Sequence, residues 1–412
     1  MPEPDRGRLI DQYARHVSQG LARLAEARDL PIEVRSDGAY VWDSDGTRYL
    51  ECGGYGVFIL GHRPRAVVDE LHRQLDRHPV GTRSLLSSEL AEASAALAAL
   101  APAGLERVYF GCTGAEAVET ALKLARASGR RRVIAMTGGF HGKTLGALSV
   151  TDRLSFRLPF KPLLEGVDRV RYGDPDALAA ALADGPPACV IVEPVQGEGG
   201  VRIPPEGYLA QVRAITAEHG ALLVADEIQT GLGRLGRWWG WPDGVAAPDL
   251  LLAGKALGGG CVPVSAVIGT PEVFSPLDRN PRLHTSTFSG YPLGMAAVLA
   301  TLRLMREVDV PGRAAALGAR VLELVRQAAA AAPDGTVREV RGVGLLIGIE
   351  FSHTEHSATF TEALLRAGVI PTSSLGADNV VRLSPPVLLT DTDLDWLASA
   401  GKTAFAAISP AS

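Results

Sequence analysis

Short apolar runs that stop abruptly at polar or glycine-rich residues, then give way to a helical pattern, constrain this chain more than any other feature. Arg107–Phe110 leads into GCTG, Val133–Met136 into TGGFHGK and Cys189–Val192 into Glu193. Leu222–Ala225 leads into Asp226, and Leu250–Ala253 into Gly254 and Lys255. Nearly continuous apolar strands alternating with helices predict an α/β fold with a mostly parallel central sheet buried on both faces. In such sheets ligands bind beyond the carboxyl ends of the strands, so the polar residues there are the candidates for function. At 412 residues the chain is long for one core, which predicts a large domain and a smaller one. Residues 36–50 alternate around two Asp/Gly turns and predict a hairpin. VGLLIGIEF (343–351) and NVVRL (379–383) predict strands, with helices near 359–367 and from Asp391 on. Residues 1–62 and 305–412 are therefore expected to build one small α+β domain on a large domain of residues 63–304.

Charge narrows the partners. The balance of 41 basic and 46 acidic residues, net −5, gives no electrostatic argument for nucleic acid or for an anionic membrane. No apolar run has the length of a bilayer span. The start, MPEPDRGRLIDQYARH, is charged and lacks the apolar stretch of a secretory signal. Cys52, Cys112, Cys189 and Cys261 lie far apart and form no C-x-x-C pair. Free thiols in a reducing, cytoplasmic setting are expected, with no disulfide framework and no metal site.

Two residues at the strand ends carry the chemical argument. Asp226 closes one apolar run and can be held ionised beside a cation. Lys255 follows the next run, in AGKALGGG, flanked by small residues that let it reach a carbonyl. Pyridoxal phosphate asks for this pair: a carboxylate against its ring nitrogen, and a lysine that forms a Schiff base and later shuttles a proton. The segment GCTGAEAVETALKLAR supplies a tight turn and then a helix with Val118, Ala121, Leu122 and Ala125 on one face. The free N–H groups at such a helix start bind phosphate. Phe140, in GGFHG, offers a flat ring to stack on the cofactor.

Taken in order, these segments resemble the class III pyridoxal-phosphate aminotransferases over nearly the whole chain. The matching stretches are WDSDGTRYLECGGYGVFILGHRPR, GCTGAEAVETALKLAR, GGFHGKTLGALSVT, EPVQGEGGV, DEIQTGLGR, GKALGGG, HTSTFSGYPLGMAA and VRGVGLLIGIEF. Within the putrescine, ornithine and acetylornithine branch, the chain looks most like the putrescine enzymes, through CGGYGVF, FHGKTLGALSVT and NPRLHTSTF. The resemblance implies fold type I and a transferase of amine or amino-acid substrates with a 2-oxo acid acceptor. It implies Lys255 and Asp226 as catalytic residues, and Gln229 near the ring's phenolic oxygen. Gly114 and Ala115 would bind the phosphate, with Thr113 nearby. Phe140 and His141 would lie at the ring, and Glu193 would join the cofactor-binding set. Thr287 would reach the phosphate of a neighbouring subunit, which implies a homodimer with shared active sites. Glu198 resembles the acid that gates a carboxylate-binding arginine, and Arg382 resembles that arginine.

The chain also departs from the family pattern. Cys112-Thr113 replaces the usual Asn/Ser pair of the phosphate turn. Tyr291 stands where a small amide is usual, and is a candidate substrate residue. Lys143 stands where ornithine-type enzymes carry arginine. Trp238, Trp239 and Trp241 read either as core packing or as a wall for an aromatic substrate. These changes keep a second reading open: an aminotransferase-like enzyme of specialised metabolism that racemises, decarboxylates, replaces a γ-group or forms a carbon–carbon bond.

Overall fold

The computed structural model describes residues 5–410. An N-terminal meander comes first: β1 (Glu33–Asp37), β2 (Tyr40–Asp43) and β3 (Arg48–Glu51), antiparallel throughout. It realises the two Asp/Gly turns. The central strands follow: β4 (Arg107–Gly111), β5 (Arg132–Met136), β6 (Val167–Val170), β7 (Ala188–Val192), β8 (Leu222–Asp226), β9 (Leu250–Ala253) and β10 (Ser265–Gly269). The last group is β11 (Val337–Val343), β12 (Leu346–Phe351), β13 (Val369–Ile370), β14 (Thr372–Ser373) and β15 (Val380–Leu383).

The central strands form one seven-stranded sheet in the order β4-β10-β9-β8-β7-β5-β6. All neighbours are parallel except β10, which runs antiparallel to both β4 and β9. The apolar runs are buried on both faces by alternation. Ile134, Val190, Leu223 and Leu251 pack into one core, while their neighbours Val133, Cys189, Leu222 and Leu250 pack into another. This two-sided burial is why the strands read as unbroken apolar runs. On the second face lies the helix Gly114–Ala127, which presents Val118, Ala121, Leu122 and Ala125 to the sheet.

Because β10 reverses twice, β4 runs the same way as β5, β7, β8 and β9. The carboxyl ends of these five strands share one edge of the sheet. The chain ends also meet: β3 pairs in parallel with β13, through Val369 opposite Leu50 and Ile370 opposite Glu51. β11, β12, β15 and β14 form a separate antiparallel sheet. The helix Pro292–Glu307 runs past residue 304, so that expected boundary falls inside a helix.

Arg234 fastens these parts. It is 1% exposed, and its guanidinium donates to the carbonyls of Leu345 (3.2 Å), Pro385 (2.7 Å) and Gly56 (3.3 Å). Burial, and then the nearby Arg382, depress its pKa to about 9. None of the described helices is long and apolar enough to cross a membrane.

Candidate active site

The shared strand edge opens into a cavity of about 210 Å³. Gly114 and Ala115 reach it from the end of β4, Phe140, His141 and Gly142 from β5, and Glu193 and Glu198 from β7. Asp226, Ile228 and Gln229 reach it from β8, and Lys255 from β9. Five strand ends thus converge on one space.

Lys255 opens a short 3-10 turn two residues after β9, with φ of 46°, in the left-handed region that a non-glycine residue seldom adopts. Such a conformation costs about 1–3 kcal/mol and survives where the surrounding fold imposes it. Burial pushes the amine down to about 8, against the opposing pull of Glu198. Near neutral pH a fraction of Lys255 is therefore the neutral amine that can attack a carbonyl.

Asp226 ends β8 with its carboxylate aimed at the cavity. Its Oδ2 lies 2.7 Å from Nδ1 of His141, and its Oδ1 accepts the N–H of Ile228 at 3.1 Å. Burial opposes charge on His141, but the hydrogen bond and charge of Asp226 outweigh it and raise the imidazole pKa. Nε2 of His141 and Nε2 of Gln229 are buried without a protein partner.

At the end of β4 a capping box sorts the free N–H groups. The Thr113 hydroxyl accepts from Glu116 N at 3.2 Å. The Glu116 carboxylate returns to Cys112 N at 2.6 Å and Thr113 N at 3.0 Å. The helix-start N–H groups of Gly114 and Ala115 are left open, facing the cavity, where the helix dipole favours an anion. Glycine is required here by close approach: a Cβ on Gly114 would meet Ile228 at 2.9 Å, and one on Gly142 would meet Ala115 at 2.8 Å.

Arg382 and Glu198 adjoin the cavity from the other side. Arg382 is fully buried on β15, not a surface strand residue, and its Nη2 lies 2.7 Å from Oε1 of Glu198. Its Nε and Nη1 have no partner. The second oxygen of Glu198 accepts from Leu375 N at 2.9 Å. Burial works against the charge of Glu198, but Arg382 and then Lys255 hold its pKa low.

Other residues singled out in the sequence stand apart. Thr113 does not line the cavity, because its hydroxyl caps the helix. Thr287 and Tyr291 line a different, larger cleft of about 580 Å³, with Val80, Leu85, Leu86 and Leu90. Tyr291 donates to the Pro263 carbonyl at 3.2 Å. The tryptophans are core residues: Trp239 and Trp241 are 5% and 2% exposed, and their indole N–H groups donate to Leu100 O and Ala246 O. Trp238 is half-buried against the same core, and none of the three lines the cavity that holds Lys255. Lys143 is exposed and lies over the Phe156 ring at 4.1 Å.

Ile228 and Gly142 are cavity residues that the reading of the sequence missed. Ile228 had a signal, as a lone apolar residue in the polar run after β8. Among the described residues, no group of three or more His, Cys, Asp or Glu side chains gathers as a metal site.

The family model for class III aminotransferases (Aminotransferase class-III) matches residues 25–405. The chain belongs to that family. It is a pyridoxal-phosphate-dependent aminotransferase. Among solved structures, the ornithine aminotransferase from Toxoplasma gondii is 30% identical with a TM-score of 0.90, over 99% of this chain and 95% of that one. An amine transaminase from an uncultivated Pseudomonas species is 31% identical with a TM-score of 0.84, over 93% and 97%. A transaminase from the marine bacterium Virgibacillus is 25% identical with a TM-score of 0.85, over 91% and 92%.

The aminotransferase's cavity fits its cofactor on its own evidence. It offers two open helix-start N–H groups for a phosphate and a flat ring at Phe140. It also holds a carboxylate at Asp226 and a buried amine at Lys255.

Proposed function

We propose that this enzyme moves an amino group from a terminal amine or an amino acid to a 2-oxo acid. The observation that carries the proposal is the buried Lys255 amine, held near a pKa of about 8, in one cavity with Asp226 and the open N–H groups of Gly114 and Ala115. Bound pyridoxal phosphate supplies an aldehyde that captures amines and a ring that accepts electrons from a breaking C–H bond. Gly114 and Ala115 would hold its phosphate, and Phe140 would cover the ring. Asp226, bonded to His141, would pair with the ring nitrogen, and Gln229 would serve the phenolic oxygen. Lys255 would hold the cofactor's aldehyde, and its Nζ, once released by a substrate amine, would be the base placed to take a proton from the amine-bearing carbon.

Arg382 and Glu198 let one site serve two kinds of substrate. An amine without a nearby carboxylate leaves their ion pair closed. An oxo acid displaces Glu198 and pairs with the unpartnered edge of Arg382. The likeness to an ornithine aminotransferase and an amine transaminase supports substrates with a terminal amine.

The test is a half-reaction. Purified enzyme loaded with cofactor is given diamines, ω-amino acids and α-amino acids in turn, and pyridoxamine phosphate is measured. Conversion by at least one amine, reversed by a 2-oxo acid, is expected. No conversion across the panel would overturn the proposal.

The cleft around Thr287 supports a homodimer. Leu85 and Leu86 stand 80% and 104% exposed beside it. A second copy covering that apolar surface would bring Thr287 towards the partner's phosphate turn. Light scattering on Leu86→Glu should show dissociation. The free cysteines and unexceptional charge support a cytoplasmic setting.

A further inference from the structure

Glu193 is a buried acid at this site whose task the family resemblance leaves undefined. It stands one residue past β7 and is 5% exposed. Its Oε1 accepts the N–H of Phe140 at 2.9 Å, and its Oε2 accepts the N–H of Gly197 at 3.3 Å. Phe140 lies on the loop after β5, and Gly197 on the loop that carries Glu198. One carboxyl therefore fastens the loop bearing the cavity's flat ring to the loop bearing the partner of Arg382. Gln196 braces the same junction, donating to the Thr137 carbonyl at 2.8 Å.

Accepting on both oxygens suits a carboxylate, since a protonated carboxyl turns one oxygen into a donor. A buried carboxylate is costly without a cation. Lys255 shares the cavity, but the group that acts most strongly on the Glu193 charge is His141. Its Nδ1 is bonded to Asp226, and its buried Nε2 has no partner. A Cβ placed on Gly139 would lie 3.1 Å from that Nε2 and 3.7 Å from Oε1 of Glu193, so a bare glycine backbone brings the two groups near each other. The imidazole thus has a carboxylate bonded at one nitrogen and a second carboxylate near the other.

We propose that Glu193 is a positioning residue for this site: it clasps the Phe140 and Glu198 loops and, with Asp226, holds His141 doubly protonated. An imidazolium behind Asp226 then fixes the charge that Asp226 presents to the cofactor ring. That last step rests on the function proposed above, whereas the relation between Glu193 and His141 does not.

The surrounding charges are few. Asp226 and Lys255 share the cavity, Arg169 opposes the charge on His141, and the Tyr172 hydroxyl donates to the Glu193 carbonyl at 3.1 Å. Burial pushes Glu193 up to about 7, with His141 pulling it back and Asp226 adding to the rise. Glu193 and His141 thus act on each other's proton: His141 favours the Glu193 carboxylate, and that carboxylate favours the imidazolium.

The test follows the ring nitrogens of His141 by NMR of the full chain labelled with ¹⁵N-histidine, before and after pyridoxal phosphate is added. In the wild type His141 should stay doubly protonated past neutral pH. In Glu193→Gln its midpoint should fall by a unit or more, about a tenfold loss of proton affinity, while the other histidines hold still. A clasp without electrostatic effect would lower stability and leave that midpoint unmoved, and an unmoved midpoint in folded Glu193→Gln overturns the proposal.

Should that variant fail to fold, wild-type protein labelled with ¹³C-glutamate gives the answer. The Glu193 carboxyl and the His141 ring should report a shared transition, and unrelated midpoints overturn the proposal. Both readings work without turnover, so a negative result here leaves the half-reaction test intact.

Discussion

Two carboxylates stand side by side at the end of β8 and serve opposite sides of the molecule. Asp226 faces the cavity, where the polar atoms around it are incompletely met: His141 Nε2 and Gln229 Nε2 lack hydrogen-bond partners, as do the nitrogens of Arg382, of which Nη2 is ion-paired with Glu198. Glu227 faces away, 1% exposed, and is fully engaged. It accepts from Thr230 Oγ1 at 2.5 Å, Gly240 N at 2.8 Å and Trp241 N at 2.6 Å, which pins the tryptophan turn to the core. Native interiors satisfy their buried polar groups, so a cluster of exceptions marks a place built for a ligand. The same strand end thus divides into a side that waits for a partner and a side that supplies its own.

Removing the amine from the waiting side should have the largest effect. Lys255→Ala should lower the half-reaction rate by about 10⁴-fold or more, since both the anchor and the proton carrier go. Loss of the visible absorbance of bound cofactor checks it, and a retained band would sink the assignment. Asp226→Asn should follow, with a loss of about 10²- to 10³-fold and some loss of stability, because the amide keeps the shape but loses the charge that His141 pairs with. Stopped-flow rates and thermal melts on the same sample separate the two.

Glu227→Ala should invert that result. It strands three donors in the core, so stability should fall by about 2–4 kcal/mol while the folded fraction keeps its turnover. An active-site defect at full stability would mean that the division at the strand end is wrong.

Much of this division was legible in the sequence, and its limits have physical reasons. The alternation of apolar runs with polar stops gave the parallel sheet and its functional edge. Residues that reach the cavity from strand ends, such as Asp226, Lys255 and Glu193, could be chosen because a strand end is visible along the chain. The partners of each side chain were not visible. Thr113 was expected near the phosphate, and the sequence did not show that its hydroxyl caps the helix. Ile228 went unnoticed because its contact with Gly114 joins the ends of two strands far apart in sequence. Thr287 and Tyr291 line a cleft that does not include Lys255.

Charge on the waiting side should also cost stability in a predictable pH window. The Lys255 amine has a pKa of about 8 in the folded protein, against 10.5 for an ordinary lysine. Between these values the unfolded chain binds more protons, so stability should rise with pH across that window. Below it the penalty is complete, at most about 3 kcal/mol. Cofactor-free Lys255→Met should therefore be more stable than the wild type near pH 7, and the gain should shrink towards about pH 10. Denaturant titrations at the two values check this, and a gain that does not depend on pH would point to packing instead of charge.

The smallest effect should come from Trp238, which tests the satisfied side most gently. Its ring is half-buried and packs against the main core, next to Trp239 and Trp241, whose indoles are bonded to backbone carbonyls. No residue of this turn lines the cavity that holds Lys255. Trp238→Phe keeps an aromatic ring and removes part of the packing, so a loss of about 1 kcal/mol or less is expected. KM for every amine should stay within twofold of the wild type, roughly the scatter that a remote packing change allows. A selective rise in KM for an aromatic amine would restore the turn as a substrate wall, and would require it to move against the cavity when substrate binds. The three bonds of Glu227 oppose such a movement, because shifting the turn would break them in a buried setting.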